Sequence, residues 1–183
     1  MRTERSSGSR NWLGLVAGVL LVPHAGVVHA DNTETAGDVI GIALPATAFA
    51  LTFTHDDTQG RHQFYKSFGS TVAATWLLKH TVHKERPDGS NDESFPSGHA
   101  AAAFEAASFI PRRYGVPAWP GYLFATYCGW TRVEAKKHYT SDVLAGAALG
   151  IGSSFLFVTR RDLNVSTALL RDGFEIRIAG TLR

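Results

Sequence analysis

Three short polar stretches hold residue types that can do chemistry. In the first, Lys79 and Arg86 stand seven residues apart and Pro87 follows. Two cations held close together suit an oxyanion with several negative oxygens, since guanidinium grips it in a bidentate way and ammonium acts as a point charge. Taken alone, the stretch reads as a solvated basic helix end that complements the helix dipole. The second stretch is Ser94-Phe95-Pro96-Ser97-Gly98-His99, directly before the small apolar run Ala100–Phe104. Ser97 is placed to cap a helix, and Gly98 lets a ligand come close to the backbone. The free amides of the first turn then form an anion site. His99 would stand beside any bound anion, with a pKa suited to proton donation near neutrality. In the third stretch Arg132 precedes His138 and Asp142, which are four residues apart. If a helix runs through both they share a face. A carboxylate on one ring nitrogen would make the other a better nucleophile. The plainer reading of that pair is a helix cap.

The elements that must position these residues are apolar and helix-like: Asp38–Thr54, Phe64–His80, Gly98–Ile110, Ala118–Thr131 and Ser141–Thr159. They are rich in Ala, Leu, Val and Phe and lack the strict alternation of half-buried strands. Breakers fill the connections His55–Gln63, Arg86–Pro96, Pro111–Pro117 and Arg132–Thr140. The expected fold is an all-α bundle of about five core helices. In the tail, Leu163–Leu170 and Phe174–Leu182 flank Asp172-Gly173, a pattern that suits a short β-hairpin or a partly ordered tail.

Together the three stretches resemble the signature of the type 2 phosphatidic acid phosphatase superfamily, which includes bacterial acid phosphatases and vanadium haloperoxidases. Its pattern is KxxxxxxRP, then PSGH, then SRxxxxxHxxxD. Lys79, Arg86 and Pro87 match the first block; Pro96, Ser97, Gly98 and His99 the second; Arg132, His138 and Asp142 the third. Two departures stand out. Thr131 replaces the usual Ser, and the eight-residue gap between Pro87 and Pro96 is short for the family. The resemblance implies phosphate transfer through His138 as nucleophile, with Asp142 orienting it and His99 as acid and then base. Lys79, Arg86 and Arg132, with the amides near Ser97 and Gly98, would hold the phosphate oxygens. It implies no cofactor and no metal, because the cations take the metal's place. His80 with His83, His55-Asp56-Asp57 and Asp92-Glu93 read as wet surface.

Composition bounds the rest. The chain has 183 residues, enough for one domain, and 18 Lys and Arg against 16 Asp and Glu, so no basic footprint marks a nucleic-acid partner. Cys128 is the sole cysteine, which excludes an internal disulfide and favours a buried thiol. Arg2, Arg5 and Arg10, the apolar run Trp12–Val22 and Val28-His29-Ala30 form an export signal at 1–30, with an uncleaved anchor helix as the alternative. Residues 31–162 then form the phosphatase domain and 163–183 the tail or hairpin. The address is the bacterial cell envelope. Threading each run once across a membrane places the three stretches on the periplasmic face and Arg61, Arg112, Arg113, Arg160 and Arg161 on the cytoplasmic one. Gly146 and Gly150, one turn apart, would let helices approach closely. Phosphorylated lipids are the expected substrates, and no obligate protein partner is evident. A soluble periplasmic acid phosphatase acting on small phosphoesters is the alternative. A vanadate-dependent haloperoxidase and a non-catalytic phosphate-binding membrane protein are weaker ones.

Overall fold

The computed structural model describes residues 30–170 and 173–181, with side chains described for 32–161. The expected export signal up to position 29 and the Asp172 turn lie outside the described residues. Five helices run alternately up and down: α1 (Ala30–Thr54), α2 (Thr58–Thr81), α3 (Gly98–Tyr114), α4 (Trp119–Glu134) and α5 (Thr140–Phe157). All five expected runs are helical. Beyond them Asp162–Leu170 (β1) pairs antiparallel with Gly173–Thr181 (β2).

Local chemistry explains the boundaries. Asp57 accepts a hydrogen bond from the Gly60 amide at 2.9 Å, so α2 starts at Thr58 and not at Phe64 as expected. Ser97 caps α3, accepting from the Ala100 amide at 3.4 Å. That helix was expected to stop before Pro111 but continues to Tyr114. Proline forfeits only its own N–H, and its carbonyl still accepts from Gly115, which ends the helix at a φ of +69°. The extra turn delivers Arg113 to Asp57. The guanidinium is 1% exposed and binds both carboxylate oxygens, at 2.6 and 2.7 Å, and the Thr159 carbonyl at 2.9 Å. This clamp closes the end of the bundle opposite the three polar stretches.

Helix α3 is the central element. Ala100, Ala101, Ala103, Ala106 and Ala107 are all buried on it. Small side chains let the neighbours reach its backbone. A Cβ added to Gly150 of α5 would lie 2.2 Å from the Ala101 carbonyl oxygen, and one on Gly146 would lie 2.4 Å from that of Ser97. The interior also holds polar groups, with Ser67, Thr71, Ser108 and Ser154 buried and Glu105 receiving the Ser67 hydroxyl at 2.5 Å. The exterior is the apolar surface, including Ile42, Phe53, Trp76, Leu123, Leu144 and Leu156.

Gly150→Ala should lower the thermal midpoint by roughly 5 °C, because overpacking against backbone costs about 1–3 kcal/mol. Gly152→Ala has no neighbour within 4 Å and should leave the midpoint unchanged. Thermal unfolding of both variants checks the α3–α5 contact.

Candidate active site

The antiparallel helices bring all eight candidate residues to one end. Lys79 comes from the last turn of α2, Arg86 from the loop after it, and Ser97, Gly98 and His99 from the start of α3. Arg132 comes from the end of α4, His138 from the α4–α5 loop and Asp142 from the first turn of α5.

His138 is 4% exposed, and its Nδ1 lies 2.6 Å from the Ser94 carbonyl oxygen. A carbonyl can only accept, so Nδ1 carries the proton and the lone pair sits on Nε2. Among the described residues Nε2 has no hydrogen-bond partner. Burial lowers the ring's pKa to about 4, and the charges of Lys79 and Arg86 push the same way against the Ser94 hydrogen bond and Asp142. The ring is therefore a neutral, oriented base beside two cations.

The expected hydrogen bond from Asp142 to His138 is not formed. The helix begins at Thr140, so His138 lies outside it and the shared helical face does not exist. Asp142 instead gathers the groups around His138. Its carboxylate accepts from Lys84 Nζ at 2.6 Å, Ser94 Oγ at 2.6 Å, Ser141 Oγ at 3.3 Å and the Tyr139 amide at 3.0 Å. Its backbone carbonyl accepts from the Ser97 amide at 2.9 Å. Asp142 thus reaches His138 through Ser94, and it caps α5 as the plainer reading had it.

On the other side Asp38 of α1 organises the charges. One carboxylate oxygen lies 2.7 Å from Arg132 Nη1 and 3.0 Å from His99 Nε2. Arg132 also donates to the Glu34 carbonyl and, through Nε at 3.4 Å, to Thr131 Oγ1. The hydroxyl retained at position 131 thus supports the guanidinium. Close approach of α1 makes this possible, since a Cβ on Gly41 would sit 2.7 Å from His99 Cδ2. Lys79 Nζ donates to the Glu93 carbonyl at 2.6 Å, and the buried Arg86 Nε has no partner among the described residues.

Asp38, Lys84 and Ser94 were missed in the sequence. Asp38 left one usable signal, a carboxylate within an otherwise apolar helix. Lys84 and Ser94 left none, because their partner is more than forty residues away. Cys128 is a buried free thiol, as expected. No group of three or more His, Cys, Asp or Glu suited to a metal ion occurs among the described residues.

Residues 48–165 match the family model described as the PAP2 superfamily. The chain is 42% identical over 77 residues to lipid A 1-phosphatase of Porphyromonas gingivalis, covering 40% of this chain and 17% of that protein. It is 31% identical over 139 residues to lipid A 4'-phosphatase of Helicobacter pylori, covering 69% and 70%. It is 34% identical over 87 residues to undecaprenyl-diphosphatase BcrC of Bacillus subtilis, covering 48% and 45%. The chain thus spans less than two thirds of the first and third of these relatives. The crystal structure of Aquifex aeolicus LpxE superposes with a TM-score of 0.62 at 19% identity, over 72% of this chain and 86% of that one. That likeness shows the shared helical fold.

Titration tests the buried ring. Nitrogen NMR of histidine-labelled protein, assigned with His138→Gln, should show His138 neutral at pH 5.5, where an exposed imidazole is mostly charged. The linked effect on stability has a definite sign. The unfolded chain takes up this proton below about pH 6.5 while the folded chain resists it until about 4, so folding weakens across that window, by about 3 kcal/mol in total.

Proposed function

Because the chain belongs to the PAP2 superfamily, we propose that it is a phosphatase of membrane lipids that transfers phosphate through His138. The observation that carries the reading is the neutral His138 ring, fixed through Nδ1, with its Nε2 lone pair free beside Lys79 and Arg86. Nε2 attacks phosphorus in line and forms an N–P bond as the P–O bond to the lipid breaks. His99 gives its proton to the departing oxygen. It then takes one from water, whose oxygen displaces the phosphate and returns the electron pair to Nε2. Lys79, Arg86 and Arg132, with the amides behind Ser97 and Gly98, face the phosphoryl oxygens. Fixed positive charge at developing negative charge is usually the largest catalytic term. Asp142 acts as a positioning residue by holding Ser94, whose carbonyl receives the His138 proton.

The lipid reading draws on the names of the relatives, which act on lipid A and undecaprenyl diphosphate, and on the surface. Asn32–Thr54 and Thr140–Phe157 are long and apolar enough to cross a membrane. Only 28% of each window is buried, so they are not the core helices of a soluble bundle. Trp76 and Trp130 near the site end and Trp119 at the other end are exposed, as at the two interfaces of a bilayer. Arg61, Arg112, Arg160 and Arg161 lie at the end away from the site, which places the site on the periplasmic side by the positive-inside tendency.

His138→Ala should reduce turnover by at least about a thousandfold, with the thermal midpoint retained. Acid-labile, base-stable phosphate should be trapped on the wild-type protein during reaction and not on the variant. Activity should survive EDTA, and vanadate should inhibit as a mimic of the pentacoordinate state. Substantial turnover by folded His138→Ala protein would overturn the mechanism. On fractionation the protein should sediment with membranes and need detergent for release. Recovery in a detergent-free periplasmic extract would show a soluble bundle and shift the substrates to small esters.

A further inference from the structure

An apolar groove of about 220 Å³ lies between α2 and α3 and starts at the phosphate-facing residues. Lys79 and Gly98 form its upper end, and both belong to the candidate site. Below them Val72, Thr75 and Trp76 of α2 face Ala101 and Ala102 of α3. The sequence accounts for the shape. Val72, Thr75, Trp76 and Lys79 recur at helical spacing and so share one face of α2. On α3 the run Ala100–Ala103 projects nothing longer than a methyl for a full turn after the capping residues. Gly98 keeps the neck clear, since a Cβ there would stand 3.7 Å from Thr75 Cγ2. Val72 and Trp76 are 50% and 60% exposed, so the groove also opens sideways along its length.

We infer that this groove holds the hydrocarbon chain next to the phosphate of a lipid substrate. The inference rests on the lipid-phosphatase reading and names the tail subsite of that same site. The occupant follows from the two ends. The upper end offers cation and amide to an anion, and the wall below offers carbon. Sugar or a second charge buried there would lose its water without gaining partners. At about 30 Å³ per water-sized group the volume takes roughly seven such groups, one segment of one chain. A substrate with several tails therefore seats one of them and leaves the rest in the surrounding hydrocarbon. The lateral opening lets that chain enter from the bilayer without first leaving it.

Dodecyl phosphate, farnesyl phosphate and p-nitrophenyl phosphate, given to the full-length protein in detergent, test the assignment. Ala102→Phe fills the groove from α3. Val72→Trp fills it from the exposed rim of α2, where the fold has little to lose. Leu123→Phe on the exposed face of α4 is the control. Both groove variants should lose about tenfold in kcat/KM on a long-chain phosphate, keep p-nitrophenyl phosphate within about twofold of wild type, and differ from the control. Loss on dodecyl phosphate alone assigns a linear acyl-like tail, loss on farnesyl phosphate alone a prenyl tail, and loss on both a groove open to either. Unchanged long-chain kinetics in both variants, or an equal loss on all three substrates, overturns the groove as a tail site. Wild-type protein that hydrolyses only p-nitrophenyl phosphate overturns the lipid reading itself, and the groove assignment with it.

Discussion

Cations held at one end of a helical bundle repel one another and lose hydration, so each needs a fixed partner if the end is to stay folded. The site meets this demand unevenly. Arg132 is neutralised by Asp38 and held by the Glu34 carbonyl, Lys84 is neutralised by Asp142, and Lys79 rests on the Glu93 carbonyl. Arg86 keeps an unpartnered buried nitrogen. The carboxylates therefore sit around the ring of charge rather than at its centre, which leaves positive potential facing the space beside His138. Much of the architecture serves this distribution. Gly41 lets α1 press against His99 so that Asp38 can arrive, and the loop after α2 folds back so that Ser94 meets both Asp142 and His138.

The bundle below the site inverts the usual partition of a soluble protein. Small and hydroxyl-bearing side chains fill the inside, and large apolar ones face out. Without a hydrophobic driving force between helices, close backbone contact and interior hydrogen bonds must hold the assembly. The Gly146 and Gly150 contacts with α3, the Ser67–Glu105 hydrogen bond and the buried Arg113–Asp57 pair are the means. Because α3 is lined with alanine, one helix can meet α5 through backbone, offer its first amides to an anion and leave a groove beside α2.

Helix number, order and polarity were legible because apolar runs and breakers alternate clearly, and the candidate residues were legible because ten positions keep their spacing. What spacing could not reveal was the wiring. His138 and Asp142 are four apart, but the helix starts between them, and only three-dimensional structure shows that Ser94 carries the contact. Asp38 and Arg132 meet across ninety-four residues, a distance at which no local pattern operates. The end of α3 was misread because Pro111 was taken as a stop, when a proline in the last turn costs one hydrogen bond and the clamp beyond it returns several.

The loop after α2 is closed on itself. The Ser94 amide bonds to the Lys84 carbonyl at 2.9 Å and the Arg86 amide to the Asn91 carbonyl at 2.9 Å, while Lys84 and Ser94 both bind Asp142. Chemistry sits at the pinned base of this ring, and Gly89 and Ser90 at its tip are exposed. Doubling the length of a loop between fixed ends costs only about 0.6 kcal/mol. Insertions at the tip therefore leave Arg86 and Ser94 in place, which makes headgroup preference a trait that can evolve by loop length alone, independently of catalytic power.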